Sequence, residues 1–164
     1  MQKGKIMRDI LFRAKQTGFN EWVEGLIVSY PKKTMCLLLE RTPQLTWYVD
    51  ENTVGQYTGL TDKNGTKIFE GDIVEYEHEL SGFLRFELGE DYKPRRSHSC
   101  HWDDKHYLHY KRNYAVEWKE KAARWILRNG SDQHDLKRIA LSMHNGVVIG
   151  NIHDNPELLK GGAE

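Results

Sequence analysis

The stretch from Val54 to Tyr76 constrains the fold most, because turn residues recur in it every few positions. It contains the tetrapeptide Asp62-Lys63-Asn64-Gly65, and Gly71-Asp72 follows after a short apolar run. Asn-Gly is the strongest short-range signal for a β-hairpin, since both central residues of a type I′ turn require φ > 0. The stretch therefore predicts short strands joined by tight turns, with Asn64-Gly65 in a type I′ turn.

Further strands are predicted on both sides of this stretch from runs of apolar and β-branched residues between turn signals. They are Asp9–Ala14, Glu21–Ser29, Met35–Glu40, Leu45–Asp50 and Val147–Ile152. Strands this close together, with turn residues between them, are typical of small barrels rather than of βαβ units.

The motifs of the central stretch resemble the signature of the YopX family, small proteins of phages and prophages. The matching segments are Gln56-Tyr57-Thr58-Gly59-Leu60, Asp62-Lys63-Asn64-Gly65 and Glu70-Gly71-Asp72-Ile73-Val74. Asp9–Ala14 resembles the opening strand of the family, and Val148–Ile152 with Asn155–Leu159 resembles its close. The resemblance spans nearly the whole chain and implies no particular biochemical activity.

The resemblance implies a mainly β fold whose C-terminal half is a small SH3-like barrel or roll, with one or two short helices. We divide the chain into an N-terminal strand unit, residues 1–58, and a YopX-like β-barrel, residues 59–164. Residues 77–112 fit the family least. We interpret them as an insertion, a long loop in which Tyr92–Lys111 is peripheral to the core and dispensable for folding.

Residues 113–128 carry two patterns. Tyr114, Val116 and Trp118 alternate as in a strand, whereas Trp118, Ala122 and Trp125 fall at helical spacing. The family resemblance favours two strands that turn at 119–123. Short helices are predicted at Asp135–Met143 and after Asn155, with Asn155 as the N-cap and proline at the first helical position.

Composition narrows the function classes. The 24 basic and 24 acidic residues cancel, and the pI is near 7.1. This balance removes the bulk electrostatic argument for nucleic-acid binding but leaves room for a local basic patch. The chain begins with a mixed, charged segment instead of a signal peptide, and no apolar run is long enough to cross a membrane. We therefore expect a reduced protein in the cytoplasm of a bacterial host.

The sharpest chemical candidate is a histidine-rich segment in which His98, Cys100 and His101 offer zinc-type ligands. Its spacing matches no standard zinc finger or ribbon, which take ligands from two separate knuckles. A zinc protein or a metal-dependent enzyme centred on residues 98–109 is therefore the alternative hypothesis. The alternative without metal is that these histidines are ordinary surface residues.

The same region interleaves basic and aromatic side chains, a pattern that single-strand binders use. The candidate binding residues are Tyr92, Arg95, Arg96, Trp102, Tyr107 and Tyr110. The preferred hypothesis is a non-enzymatic accessory protein, with no catalytic residue and no cofactor, that binds a host or phage macromolecule. A protein partner is favoured, while a nucleic-acid partner and a homo-oligomer are left open.

Overall fold

The described residues are mostly β-strand, as the mainly β prediction requires. The computed structural model describes residues 10–30, 33–37, 46–80, 99–103, 107–136 and 146–160. Contacts divide the chain into two units. The first holds Met1–Thr61 and Lys67–Gly71, and the second holds Asp62–Thr66 and Asp72–Glu164.

The first unit is a six-stranded antiparallel sheet in the order β4-β3-β2-β1-β5-β6. Its strands are β1 (Phe12–Lys15), β2 (Trp22–Tyr30), β3 (Lys33–Leu37), β4 (Thr46–Tyr48), β5 (Gly55–Thr61) and β6 (Lys67–Phe69). Ala14 and Val49 are the centre of its small core. The Arg13 guanidinium lies over the rings of Trp22 and Phe69, at 4.5 and 4.7 Å from their centroids. These two cation–π contacts fix the sheet face around β1.

The second unit contains β7 (Asp72–Leu80), β8 (Ser99–Trp102), β9 (Leu108–Lys119), β10 (Arg124–Asn129), β11 (Asp132–Asp135) and β12 (Val147–Asn151). The strands pair in the order β11-β10-β9-β7-β12, and β8 also pairs with β9. This order has two ends. The pairings among the described strands therefore form an open antiparallel sheet.

The long strand β9 organises the core of the second unit. It pairs with β7 along Leu108–Ala115 and with β10 along residues 115–119. Because side chains alternate across a strand, Leu108, Tyr114 and Val116 share one face, and all three are fully buried. Leu127, opposite Val116 on β10, is buried on the same face.

The strand pair predicted for residues 113–128 is confirmed, since β9 and β10 flank a 3-10 turn at Glu120–Ala122. Ala123 closes the turn in the left-handed region, with φ 46°. The loop predicted for residues 77–112 is wrong at both ends. β7 runs to Leu80, and β9 begins at Leu108, which is fully buried. Residues 81–98 and 104–106 lie outside the described residues.

The C-terminal segment differs in detail from the prediction. A 3-10 helix spans Pro156–Leu159, and the Asn155 side chain makes no capping hydrogen bond. A Cβ placed on Gly150 would lie 2.6 Å from Asn155 Oδ1, so this amide packs against the glycine backbone of β12. Close packing on Gly150 thus takes the place of the cap.

Two other predicted features can be placed. The helix predicted at Asp135–Met143 begins on a residue of β11, and residues 137–143 lie outside the described part of the chain. The domain boundary predicted after residue 58 falls inside β5, whereas the two units part after Thr61. Gly59, with φ 82°, lies at a register shift within that strand and does not end it.

Candidate functional site

The Asp62–Thr66 turn of the central signature has a structural role. The Asp62 carboxylate accepts hydrogen bonds from the N–H groups of Asn64, Thr66 and Val148 at 2.8, 2.9 and 3.1 Å. Val148 belongs to β12, and the Lys63 N–H donates to the carbonyl of Gly146 just before it. The turn therefore covers one edge of β12 within the second unit.

The turn is not type I′, so that prediction is wrong. Gly65 has φ 83°, but Asn64 is not among the residues with positive φ. The Gly65 N–H donates to the Asp62 carbonyl at 3.0 Å, and the Asp62 N–H donates to the Thr66 carbonyl at 2.8 Å. This is a three-residue loop with a left-handed glycine. The Asp62 side chain selects it by bonding the backbone two and four residues on.

The same contacts set the charge of Asp62. Burial by itself raises the pKa of this carboxyl, but hydrogen bonds from the N–H groups of Val148, Thr66 and Asn64 outweigh burial and hold its pKa below 3.8. Asp62 is thus an anion at neutral pH, and its carboxylate is engaged in hydrogen bonds with backbone N–H groups.

Asp72, another carboxylate of the signature, also has a structural role. It is 1% exposed, and its Oδ1 accepts a hydrogen bond from the Asn151 side chain at 3.2 Å. Asn151 Oδ1 in turn accepts from the N–H of His153 at 3.0 Å. The pair links the first strand of the second unit to its last strand, so Asp72, like Asp62, supports the sheet.

Five ring side chains pack together on one face of the second sheet, and we call them the ring cluster: Tyr76, His78, Tyr110, Tyr114 and His134. His78 stacks on Tyr110 with a centroid distance of 4.8 Å, and its Nε2 is 2.7 Å from the Tyr114 hydroxyl. His134 lies 5.7 Å from His78 and 5.3 Å from Tyr114, centroid to centroid. Strands β7, β9 and β11 supply these residues, and no sequence motif links them.

A charged pair borders the ring cluster. Arg112 lies over the Tyr110 ring at 5.1 Å, and its guanidinium bonds the Asp132 carboxylate at 2.9 Å. Burial, followed by electrostatic repulsion from the His134 ring when it is protonated and from Arg112, lowers the pKa of His78 to about 4. Burial is also the largest cause of the lowered pKa of His134, and it raises the pKa of Tyr114 to about 12.

These values decide what the ring cluster can do at neutral pH. General acid–base catalysis works best when the pKa of the group lies near the working pH. His78 is too weak a base for this role, and Tyr114 is too weak an acid. The ring cluster is therefore better suited to packing than to proton transfer in a reaction.

A tryptophan pair lies where the buried face of β9 reaches solvent. The row of Tyr114 and Val116 continues to Trp118, which is 43% exposed although both preceding members are fully buried. Trp118 faces Trp125 across the β9–β10 ladder, with the rings edge to face at 4.9 Å between centroids. A large aromatic surface is thus held rigidly at the end of a hairpin.

Cations near the tryptophan pair have partners. Arg124 bonds Asp135 at 3.1 Å, Arg128 bonds Glu117 at 2.5 Å, and Lys119 donates to Gln133 Oε1 at 2.7 Å. Arginine side chains that already hold carboxylates contribute little net positive potential. The charges of the two arginines are therefore balanced by carboxylates, whereas Lys119 keeps its charge, because its partner is a neutral amide.

The predicted binding residues fall in different places. Tyr92, Arg95 and Arg96 lie outside the described residues, and of Trp102 only its place in β8 is described. Tyr110 is buried in the ring cluster. Tyr107 is half-buried, and its N–H donates to Asp103 Oδ1 at 2.7 Å. The structure therefore brings none of the described members together on an exposed surface.

The alternative metal ligands are also described only in part. His98 lies outside the described residues, while Cys100 and His101 are consecutive in β8 and so point to opposite faces of the sheet. His101 stacks on His109 at 5.2 Å, and His109 Nε2 is 3.3 Å from Asp103 Oδ2. Within the described ranges, no group of three or more His, Cys, Asp or Glu residues is arranged to hold a metal ion.

The described surface also contains two open clefts. One, of about 700 Å³ in the first unit, is lined by Lys15, Asn20 and Asp50 among others. The other, of about 360 Å³ in the second unit, lies between the β10 end and Lys160 and contains the Arg128–Glu117 pair.

Residues 11–160 of the chain match the family described as YopX protein. Among solved structures, protein EF1440 from Enterococcus faecalis is similar in fold, with 22% sequence identity and a TM-score of 0.50. The similarity covers 93% of this chain and 99% of that one. No curated protein matches the chain. No helix among the described residues is long and apolar enough to cross a membrane.

Proposed function

Because the chain belongs to the YopX family, whose signature here serves the fold, we propose that it is a non-enzymatic binding module that acts through its tryptophan pair. The observation that carries the proposal is the exposure of Trp118, 43%, at the end of a buried row and against the ring of Trp125. Tryptophan is the residue most enriched among the anchors that dominate the binding energy of interfaces.

The partner that fits this surface is a protein. A single-strand nucleic-acid site needs free cations beside its stacking rings, so that phosphates can exchange counterions for them. Here Arg124 and Arg128 are paired with carboxylates, and the net charge of the chain is zero. A rigid aromatic surface whose neighbouring arginines are paired with carboxylates matches the apolar centre of a protein interface.

The experiment is a pull-down from a bacterial host lysate with the immobilised protein, repeated after nuclease treatment. Trp118→Ala should lower the capture of specific proteins by about 30-fold, which corresponds to about 2 kcal/mol for a central anchor. Because Trp118 is already partly exposed, the unfolding free energy of the variant should stay within about 1 kcal/mol of the wild-type value.

Tyr48→Ala is the matched control, since Tyr48 is an aromatic residue of the first unit with 53% exposure. It should capture the same proteins as the wild type. Equal losses in the two variants would contradict a role for the tryptophan pair. Capture that disappears after nuclease treatment would show that the partner is a nucleic acid.

Four further elements belong to the same proposal. The second unit is proposed to be an SH3-like roll, a view supported by the return of β12 to pair with β7, the first strand of that unit. The family resemblance supports a phage or prophage origin and the cytoplasm of a bacterial host as the place of action. A two-part organisation with a strand unit before the roll is proposed for the same reason.

A further inference from the structure

The histidines of the chain are confined to one of its two units. All eight have numbers between 78 and 153, inside the Asp72–Glu164 segment of the second unit, and the first unit has none. Histidine is the side chain whose ordinary pKa places its charge change between pH 5 and 8. Mild acid therefore acts on the second unit far more than on the first.

The ring cluster is where that charge change has a structural cost. The neutral imidazole of His78 can accept the hydrogen bond of the Tyr114 hydroxyl, whereas an imidazolium carries N–H on both nitrogens and can only donate. Protonation turns this nitrogen into a donor, so the hydroxyl proton of the fully buried Tyr114 loses the acceptor 2.7 Å away, while the hydroxyl oxygen already has a hydrogen bond with Arg112. A buried polar group that loses its partner destabilises the fold.

Charge balance around the cluster adds to this cost. The groups that face His78 are Tyr76 from its own strand, Tyr110, Arg112 and Tyr114 from β9, Asp132 and His134 from β11, and Cys100 opposite Tyr110 on β8. Within the described ranges Asp132 is the carboxylate that acts on His78, and Arg112 already holds it at 2.9 Å. A proton on either histidine leaves one uncompensated positive charge in the cluster.

We propose that the second unit is an acid-sensitive element, in which proton uptake by the His78–His134 pair breaks the contact with Tyr114 and opens this face of the sheet. The first unit keeps its structure over the same pH range. Opening exposes the rings of β7 and β9 that lie on the same sheet face as the tryptophan pair. Acid thereby changes the surface that the second unit offers to a partner.

The direction of the pH effect follows from proton linkage. The unfolded chain takes up protons at its histidines from about pH 6.5 downward, while native His78 stays neutral until its pKa of about 4. Between these values the open state binds more protons, so the stability of the second unit falls as the pH falls.

Hydrogen exchange read by mass spectrometry on the full chain tests the proposal. Between pH 7.5 and pH 5.0, after correction for the intrinsic exchange rate, protection of residues 108–116 should fall by about tenfold or more, as expected for about one pKa unit of linkage. Protection of residues 22–30 should stay within about twofold. Equal loss in both segments, or no loss in either, would overturn the proposal.

Variants assign the effect to the ring cluster. His78→Gln keeps a hydrogen-bonding side chain without a titrating ring, so it should remove most of the acid response of residues 108–116. His153→Gln, at an exposed histidine, should leave the response unchanged. If His78→Gln does not fold, NMR titration of the wild-type imidazoles shows whether the His78 ring is protected from protonation in the native state. A His78 ring that titrates near pH 6.5, as an exposed one does, would refute the proposal.

Discussion

Replacing Asp62 with alanine removes the group that joins the signature turn to β12. Three backbone N–H groups lose a charged acceptor, namely those of Asn64, Thr66 and Val148. Hydrogen bonds to ionised groups contribute about 1.5–3 kcal/mol each when they are shielded from water. Water can replace the two bonds at the turn, so we assign about 0.5 kcal/mol to each of them and about 1.5 kcal/mol to the bond from the Val148 N–H. The expected loss of unfolding free energy is about 2–3 kcal/mol.

Urea denaturation of the full chain, followed by tryptophan fluorescence, measures this loss. With a slope of about 1–2 kcal/mol per M, the unfolding midpoint of the second unit should fall by about 1–3 M. Asp62→Asn keeps one carbonyl oxygen and should lose roughly half as much. Glu120→Ala, at an exposed acidic residue of the β9–β10 turn, is the control and should stay within about 0.5 kcal/mol.

The pH dependence of the stability difference between the wild type and Asp62→Ala gives a second test. The pKa of Asp62 is below 3.8 in the native state, so its contribution is fully present above that value and is lost as the pH falls through the native pKa. Wild type and Asp62→Ala should therefore differ by a constant amount down to about pH 4 and converge in stronger acid. An Asp62→Ala protein as stable as the wild type at pH 7 would refute the structural role of the turn.

Further predictions concern single positions. Gly65→Val should lose about 1–2 kcal/mol in thermal unfolding, because φ 83° is strained for a β-branched residue although a Cβ there meets no atom within 4 Å. Leu108→Ala should lose about 2–5 kcal/mol in urea unfolding, since the side chain is fully buried, and equal stability would show that β9 begins later. Gly150→Ala should lose about 1–3 kcal/mol and expose the C-terminal segment to proteolysis, because its Cβ would displace Asn155. Deletion of residues 92–111 should prevent folding of the second unit, as it removes β8 and the start of β9, and a folded deletion variant would contradict this.

Local signals in the sequence predict strands well. Alternation and turn residues locate β1 to β4 and β12 to within a few residues, and they predict the β9–β10 pair once the turn at 119–123 is placed. These features depend on neighbours along the chain, which periodicity records directly.

Long-range contacts are where sequence reasoning fails. Asn-Gly predicts a type I′ turn, but the Asp62 side chain selects another turn and bonds Val148, which lies 86 residues away. Likewise, residues 108–112 have the composition of a polar loop, because His109, Lys111 and Arg112 alternate with the buried Leu108 and Tyr110. The carboxylates that neutralise these cations come from other strands, so Lys111 bonds Glu75 and Arg112 bonds Asp132.

The candidate surface could not be found for a similar reason. Trp118 and Trp125 each look like core residues of an alternating strand, and only the register of β9 and β10 shows that they meet at an exposed end. The high frequency of histidines in residues 98–109 instead suggests a site in that segment. A high frequency in the sequence does not by itself place the side chains on one face of the sheet. His78 and His134 are 56 positions apart and meet through the sheet order.

The central claim is that the YopX signature serves the fold while the tryptophan pair serves binding. Site-specific photocrosslinking tests it directly, with p-benzoylphenylalanine at position 118 or at position 48 of the full chain in host cells. We predict a defined protein adduct at position 118 that excess wild-type protein suppresses and excess Trp118→Ala does not, and no such adduct at position 48. The same adducts from both positions, or suppression by Trp118→Ala equal to that by the wild type, would contradict the claim.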